Sequence, residues 1–321
     1  MLRKPAFLND PMILVLLAAT LLALVLPAKG EGADIARSIS SAGIFLLFLV
    51  NGMRIARGEI ARAFVNWRFF LPLFLWVFGA MALLGLGASH LAQGFLPPLV
   101  ALGFLYLGTL PSTIQSAISY TTLANGNIAL SVVGAALINI AGVFVTAPLF
   151  ALLAGSEAAE IGNDVIVRIG MILVLPFLIG QAVQGWTRDW VIARKARIVW
   201  LDRIVIGIAV FVAFSGAVEQ GLLTMFDPLS GVVLLGLVCA FLLLANLGAW
   251  WASALLGYTH TDRTAFLFAG AQKSVAIGAP LAAILFAPEV AGFVIAPLIL
   301  YHFLQLVIAA PIASRLAHSA D

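Results

Sequence analysis

Long apolar runs separated by short polar connections dominate the chain, and the runs are long enough to cross a bilayer. A membrane-spanning helix needs about 20 predominantly apolar residues. Runs near 12–28, 38–56, 68–92, 97–123, 127–154, 165–187, 200–219, 228–256, 264–287 and 290–314 predict ten spans and an all-α polytopic membrane protein. Two spans carry polar and helix-breaking residues in their middles. In the fourth, Gly108 and Pro111 precede Ser112, Thr113, Gln115 and Ser116. In the ninth, Gly270, Gly278 and Pro280 surround Gln272, Lys273 and Ser274.

The chain divides near residue 160 into segments 1–160 and 161–321, each with five spans and each with its fourth span interrupted. Five crossings leave a chain on the side opposite its start, so the second repeat is inverted relative to the first. Broken helices in corresponding positions of two inverted repeats point to a transporter binding site near the bilayer midplane. Unwound backbone at that depth is tolerated only where protein buries it or it lines a wet cavity.

Composition agrees with this pattern. The chain is 63% hydrophobic and 10% charged, which places it in the membrane class. Arg3 and Lys4 before the apolar stretch Met12–Leu26 imitate a secretory signal, but the rest of the chain is equally apolar, so the stretch is read as the first span. The single cysteine, Cys239, excludes a disulfide framework or cysteine metal site within one chain. No basic cluster alternates with exposed aromatics, which excludes a nucleic-acid surface. Arg3, Lys4, Arg54, Arg57, Arg62, Arg68, Arg188, Arg194, Lys195, Arg197, Arg203, Arg263 and Arg315 fall on one side of the ten spans, and only Lys29, Arg37 and Arg168 on the other. This positive-inside asymmetry predicts an inner (plasma) membrane protein with both termini cytoplasmic. Trp186, Trp190, Trp200, Trp250 and Trp251 are read as interface anchors.

Lys273 is the only charged residue at mid-depth in any predicted span; the other Lys, Arg, Asp and Glu residues sit in connections, termini or the first turn or so of a span. A cation at that depth costs several kcal/mol, of order 3 on insertion scales, and usually serves a site. No carboxylate lies in an apolar segment to pair with it. Its counter-charge must come from backbone carbonyls, neutral side chains or a ligand, or else the amine loses its proton. The bland alternative is a plug that locks the helices together. Further polar candidates inside spans are Ser131, Asn139, Asn246 and His302, with interhelical bonding as the alternative role. Asn125 and Asn127 are expected to cap the fifth helix. No carboxylate pair, H-E-x-x-H, P-loop or G-x-S-x-G is present, and Ser274 with His302 is the only nucleophile–base pair available, so no enzyme is expected.

Two stretches carry a family resemblance: PSTIQSAISYTTLANGNIALS at Pro111–Ser131 and AGAQKSVAIGAP at Ala269–Pro280, with LPFLIG at 175–180, Asn246, and Tyr301-His302 with Gln305 in support. In these the chain resembles the bile acid:sodium symporter superfamily, in particular its divergent SBF-like branch of sodium-dependent transporters. The resemblance implies ten helices in two inverted repeats, a core of spans 3–5 and 8–10, a panel of spans 1, 2, 6 and 7, and crossing broken helices 4 and 9. Substrate would bind between core and panel and move by alternating access. The family's sodium ligands carry over to Gln272 and Ser131, with Ser116 and Gln115 near the fourth-span pair. The chain departs from the pattern at Phe268, Val77 and Ala135, and Lys273 replaces an asparagine.

These observations imply a secondary transporter of a small organic anion, without a cofactor. The expected coupling ion is H+ or Na+; for H+, the Lys273 ammonium would occupy the volume of a sodium ion and satisfy backbone carbonyls at the helix crossing, with Gln115, Ser116, Ser131 or Asn139 as side-chain partners. A sodium-coupled symporter and a non-transporting regulator on the same fold are the alternatives. The expected partners are the lipid bilayer and the substrate.

Overall fold

The computed structural model describes residues 11–54, 66–155, 170–225 and 227–318. The described chain is helical, with no strand. Apart from the single turn Leu222–Met225, the helices are α1 (Pro11–Val25), α2 (Glu31–Arg54), α3 (Trp67–Ala92), α4 (Pro98–Thr109), α5 (Ile114–Leu123), α6 (Ile128–Ala154), α7 (Gly170–Ala193), α8 (Lys195–Glu219), α9 (Pro228–Leu255), α10 (His260–Ala271), α11 (Val275–Leu285) and α12 (Pro288–His318). Among the described residues, eight helical stretches are long and apolar enough to cross a membrane, with α10 and α11 forming one of them. The bent pair α4–α5, which turns by 62°, adds a ninth, and α1 is a shorter apolar helix of 15 residues. The protein is therefore a multi-pass membrane protein.

Several helices run further than their apolar runs. α2 starts at Glu31 and takes in Asp34 and Arg37, and α8 starts at Lys195 and takes in Asp202 and Arg203. The expectation that charged residues other than Lys273 keep to the ends of spans is corrected here: Asp202 lies two turns into α8. It meets Arg54 of α2 at 3.5 Å, and Arg54 also donates to Asn51 Oδ1 at 2.6 Å, so the charge is paired where helix replaces loop. Arg3, Lys4, Arg57, Arg62 and Arg168 of the orientation argument lie outside the described residues.

Two compact units emerge. One comprises residues 1–56, 155–226 and 278–295; the other comprises 57–154, 227–277 and 296–321. In the first, α2 packs on α7 at a glycine crossing. A Cβ on Gly52 would strike the Phe177 carbonyl, and one on Gly180 the Leu49 carbonyl. The start of α12 joins this unit, although the resemblance assigns the whole last span to the core. Gly216 of α8 lies against the Pro288 carbonyl, and Gly292 against that of Ala213, so small residues at two successive levels bring the backbones together.

In the second unit, α3 and α4 meet at another glycine pair. A Cβ on Gly108 would stand 2.6 Å from the Met81 carbonyl and 2.9 Å from Gly85 Cα. Gly142 of α6 makes room for Pro111, whose Cγ would lie 2.6 Å from a Cβ there. α5 ends in a Schellman turn. Asn125 takes a left-handed φ of 52°, and the N–H groups of Asn125 and Gly126 donate back to Thr122 and Thr121 at 3.2 and 2.8 Å. Asn127 caps α6, accepting from Leu130 N–H at 3.1 Å. The two asparagines thus close one helix and open the next, where both were expected to cap α6.

Overpacking a tight backbone crossing costs about 1–3 kcal/mol. Gly52→Ala is expected to lower the thermal unfolding temperature in detergent, whereas Gly236→Ala, where a Cβ meets nothing within 4 Å, is not. Equal losses at both positions would contradict the packing described.

Candidate functional site

The site forms in the second unit where the fourth-span break meets the ninth-span break. Pro111 has no N–H, so the Leu107 carbonyl loses its helical donor and the helix stops. Leu110, preceding the proline, is pushed to extended geometry at φ −75°, ψ 149°. The break exposes a row of buried carbonyls, each needing a donor. Tyr106 O accepts from Thr109 Oγ1 at 2.8 Å, and Leu107 O from the Leu110 N–H at 3.4 Å. Pro111 O accepts from the Ser274 N–H at 3.0 Å, and Ser112 O from Asn139 Nδ2 at 2.6 Å. Gly108 O and Leu110 O accept from Lys273 Nζ at 2.9 and 2.7 Å.

Lys273 is completely buried. Its ammonium sits at the C-terminal end of α4, where unpaired carbonyls concentrate negative partial charge. None of its expected side-chain partners, Gln115, Ser116, Ser131 or Asn139, bonds the ammonium. Its bonds go to backbone carbonyls freed by the break, the other counter-charge expected at the crossing.

The ninth-span break is centred on residues 272–274, between α10 and α11. Gly278 and Pro280 lie inside α11, and Gly270 inside α10, so none of the three makes the break. Gly270 instead accommodates the Trp76 ring, 2.8 Å from where its Cβ would be. What opens the helix is tertiary bonding. The Lys273 N–H donates to Gln305 Oε1 at 2.8 Å, and the Lys273 carbonyl accepts from Thr113 Oγ1 at 2.8 Å and Gln305 Nε2 at 3.0 Å. Tyr301 Oη donates to the Ala271 carbonyl at 2.6 Å.

The other candidates take distinct places. Ser116 Oγ donates to Gln272 Oε1 at 3.0 Å, and Thr121 Oγ1 to Ser131 Oγ at 3.1 Å, giving two buried oxygen pairs on α5, α6 and the break. Asn139 also donates to Ala135 O at 2.8 Å. Ser112 Oγ and Gln272 Nε2 are buried and make no hydrogen bond among the described residues. Gln115 is exposed, since one residue along α5 rotates it away from the face of Ser116. Asn246 donates to Leu242 O of its own helix at 2.8 Å, and among the described residues no bond joins it to the crossing. Ser274 Oγ accepts from the Ile277 N–H at 3.3 Å, while His302 Nδ1 meets Gln305 Nε2 at 2.8 Å, so the two do not form a nucleophile–base pair.

Two residues absent from the candidate set, Tyr301 and Gln305, hold the second break. Their signal is the i, i+4 spacing of polar groups in an apolar helix, which sets both on one face. Among the described residues, no group of three or more His, Cys, Asp or Glu could hold a metal ion.

Tyr301→Phe keeps the ring against Phe241 and leaves the buried Ala271 carbonyl without its donor. The expected cost is about 1–3 kcal/mol, read as a lower unfolding temperature. An unchanged temperature would show that the bond contributes nothing.

Known proteins share this arrangement of sequence across the whole chain. The chain is 36% identical to "Uncharacterized protein PA2026" of Pseudomonas aeruginosa over 323 aligned residues, covering 99% of this chain and 96% of that protein. It is 31% identical to "Putative symporter YfeH" of Escherichia coli, covering 95% and 92%. It is 24% identical to "Sodium/bile acid cotransporter 7" of Xenopus tropicalis, covering 96% and 90%. Residues 10–318 match the model of the SBF-like CPA transporter family. The chain belongs to the SBF-like CPA transporter family, and its class is a symporter-like transporter rather than an enzyme.

Proposed function

We propose that this protein is a secondary active transporter of a small organic anion in the plasma membrane, working by alternating access, with Lys273 in the role a coupling sodium ion plays in a sodium symporter. One observation carries the proposal: a fully buried ammonium held by two freed carbonyls of a broken helix, with no carboxylate bonded to it among the described residues. A bound monovalent cation asks for the same cradle of backbone and hydroxyl oxygens. Here the cation is tethered to the chain and can exchange only a proton, which couples transport to H+.

Two inverted repeats of five spans, 1–160 and 161–321, with both termini cytoplasmic, are part of this reading. The eight long helical stretches, the bent α4–α5 pair and the short α1 support it, because together they make ten. The open Ser112 Oγ and Gln272 Nε2 are the groups proposed to meet substrate, near Thr113, Ser116, Ser131, Ser274 and Asn139. His302 and Asn246 belong to the wider polar frame.

A second reading, sodium coupling, is favoured by the vertebrate relative's name, which couples sodium to bile acid. It would draw ligands from Gln272, Ser131 and Ser116, whose oxygens already lie in paired contact. A regulator that keeps the fold without transport would use the same crossing as structure alone.

The test begins with a thermal-stability screen of small carboxylates and sulfonates on the purified protein, comparing wild type with Lys273→Gln in sodium and in choline at fixed ionic strength. A stabilising anion is then offered to proteoliposomes. The expected result is accumulation driven by an inward proton gradient, unaffected by sodium and lost in Lys273→Gln. Saturable stabilisation by sodium, with uptake driven by a sodium gradient alone, would overturn proton coupling. Absence of anion binding, together with a cellular role intact in Lys273→Gln, would favour the regulator.

A further inference from the structure

The backbone N–H and carbonyl of Lys273, which belong to the two peptide groups flanking its Cα, form a closed two-point pair with the side chain of Gln305. Gln305 Oε1 accepts from the Lys273 N–H at 2.8 Å, and Gln305 Nε2 donates to the Lys273 carbonyl at 3.0 Å. The backbone N–H is a fixed donor and the backbone carbonyl a fixed acceptor, so together they dictate which end of the amide is oxygen and which is nitrogen. The reversed amide would set N–H against N–H and oxygen against oxygen.

The assignment propagates one residue further. With Nε2 fixed as the nitrogen, one of its hydrogens goes to the Lys273 carbonyl. The second faces His302 Nδ1 at 2.8 Å. A donor at that distance requires a lone pair on the ring nitrogen. His302 therefore carries no proton on Nδ1, and a neutral ring has its proton on Nε2. His302 and Gln305 stand three residues apart on α12, which keeps them on one face of the helix. Gln305 is 1% exposed and His302 4%, so water does not substitute for either bond.

We propose that Gln305 is the positioning residue for Lys273, bonding the backbone N–H and carbonyl on either side of its Cα, and that His302 supports this clamp as a neutral imidazole protonated on Nε2. The inference rests on the reading of Lys273 as the functional cation. The Nζ contacts to Gly108 and Leu110 fix the tip of the side chain, and the clamp fixes its root. Thr113 Oγ1 adds a third bond to the same carbonyl, at 2.8 Å. With the backbone held on both sides of the Cα, the side chain starts from a fixed root toward the Gly108 and Leu110 carbonyls.

The experiment has a chemical arm and a spectroscopic arm. Reductive methylation of the detergent-purified protein, read by mass spectrometry, measures access to each lysine, with the exposed Lys29 and Lys195 as internal references. Gln305→Leu and His302→Leu are expected to raise the Lys273 rate about tenfold or more relative to those references. His302→Asn, whose Oδ1 stands close to where Nδ1 was and accepts the same hydrogen, is expected to stay within about twofold of wild type. An unchanged Lys273 rate in Gln305→Leu, or equal rates in the Asn and Leu variants of His302, overturns the clamp.

The second arm needs no folded variant. The chain has four histidines, and nitrogen NMR of histidine-labelled wild type at neutral pH reads the tautomer of each ring. A buried histidine with its proton on Nε2 is the expected result. If every buried-ring signal shows a protonated Nδ1, the support assigned to His302 is wrong. Neither arm measures transport, so the clamp can fail while Lys273-dependent uptake stands, and uptake can fail while the clamp stands.

Discussion

An ammonium ion at the C-terminal end of a broken helix is the contact on which the rest of the crossing depends. Moving such a charge out of water costs several kcal/mol even after relaxation. The two carbonyl bonds to Lys273 Nζ offset part of this, at about 1.5–3 kcal/mol each for bonds to a charged group. The end of α4 adds up to about 2 kcal/mol. Gains and cost are of one size. The arrangement therefore makes a buried cation tolerable without making it a large source of stability.

The same contact solves a backbone problem. Pro111 frees carbonyls in a region where water cannot serve them, and the second break supplies their donors: Nζ to Gly108 and Leu110, and the Ser274 N–H to Pro111. In return, the fourth span supplies Thr113 Oγ1 to the Lys273 carbonyl. Each break is satisfied by the other, and neither would be stable in lipid alone. Close packing makes the exchange possible, since Gly85 and Gly108 bring α3 and α4 to backbone contact and Gly142 seats Pro111. A site whose two halves complete each other couples any movement of one to the other, which is the property a transporter needs.

Much of this was legible in the sequence, and the residues show why the remainder was not. The spans followed from apolar run length, and the first break from Pro111, a local cause. The second break has no local cause. Residues 272–274 leave the helix because Gln305, Thr113 and Pro111 bond them, and a tertiary cause leaves no mark at the site itself. Lys273 was conspicuous as a lone charge, but its partners are carbonyls, which every residue carries and no residue type announces. Gln115 and Ser116 are adjacent in sequence, yet one is exposed and the other buried, because the face of α5 depends on where the helix restarts after the proline. Helix runs past the apolar stretch where a charge is paired, as at Asp202 of α8 with Arg54.

The most direct measurement is occupancy of the cradle by a free cation. Lys273→Ala leaves the Gly108 and Leu110 carbonyls facing an empty volume the shape of an alkylammonium. Thermal unfolding of this variant should be recorded with increasing propylammonium and, separately, tetramethylammonium, at constant ionic strength. A ligand that binds only the folded state raises its stability in a saturable way. Saturable stabilisation by propylammonium alone is the expected outcome, since only it donates hydrogen bonds to carbonyl oxygen. No stabilisation, or the same response to both ions, would contradict an ammonium held by the carbonyls of the broken helix.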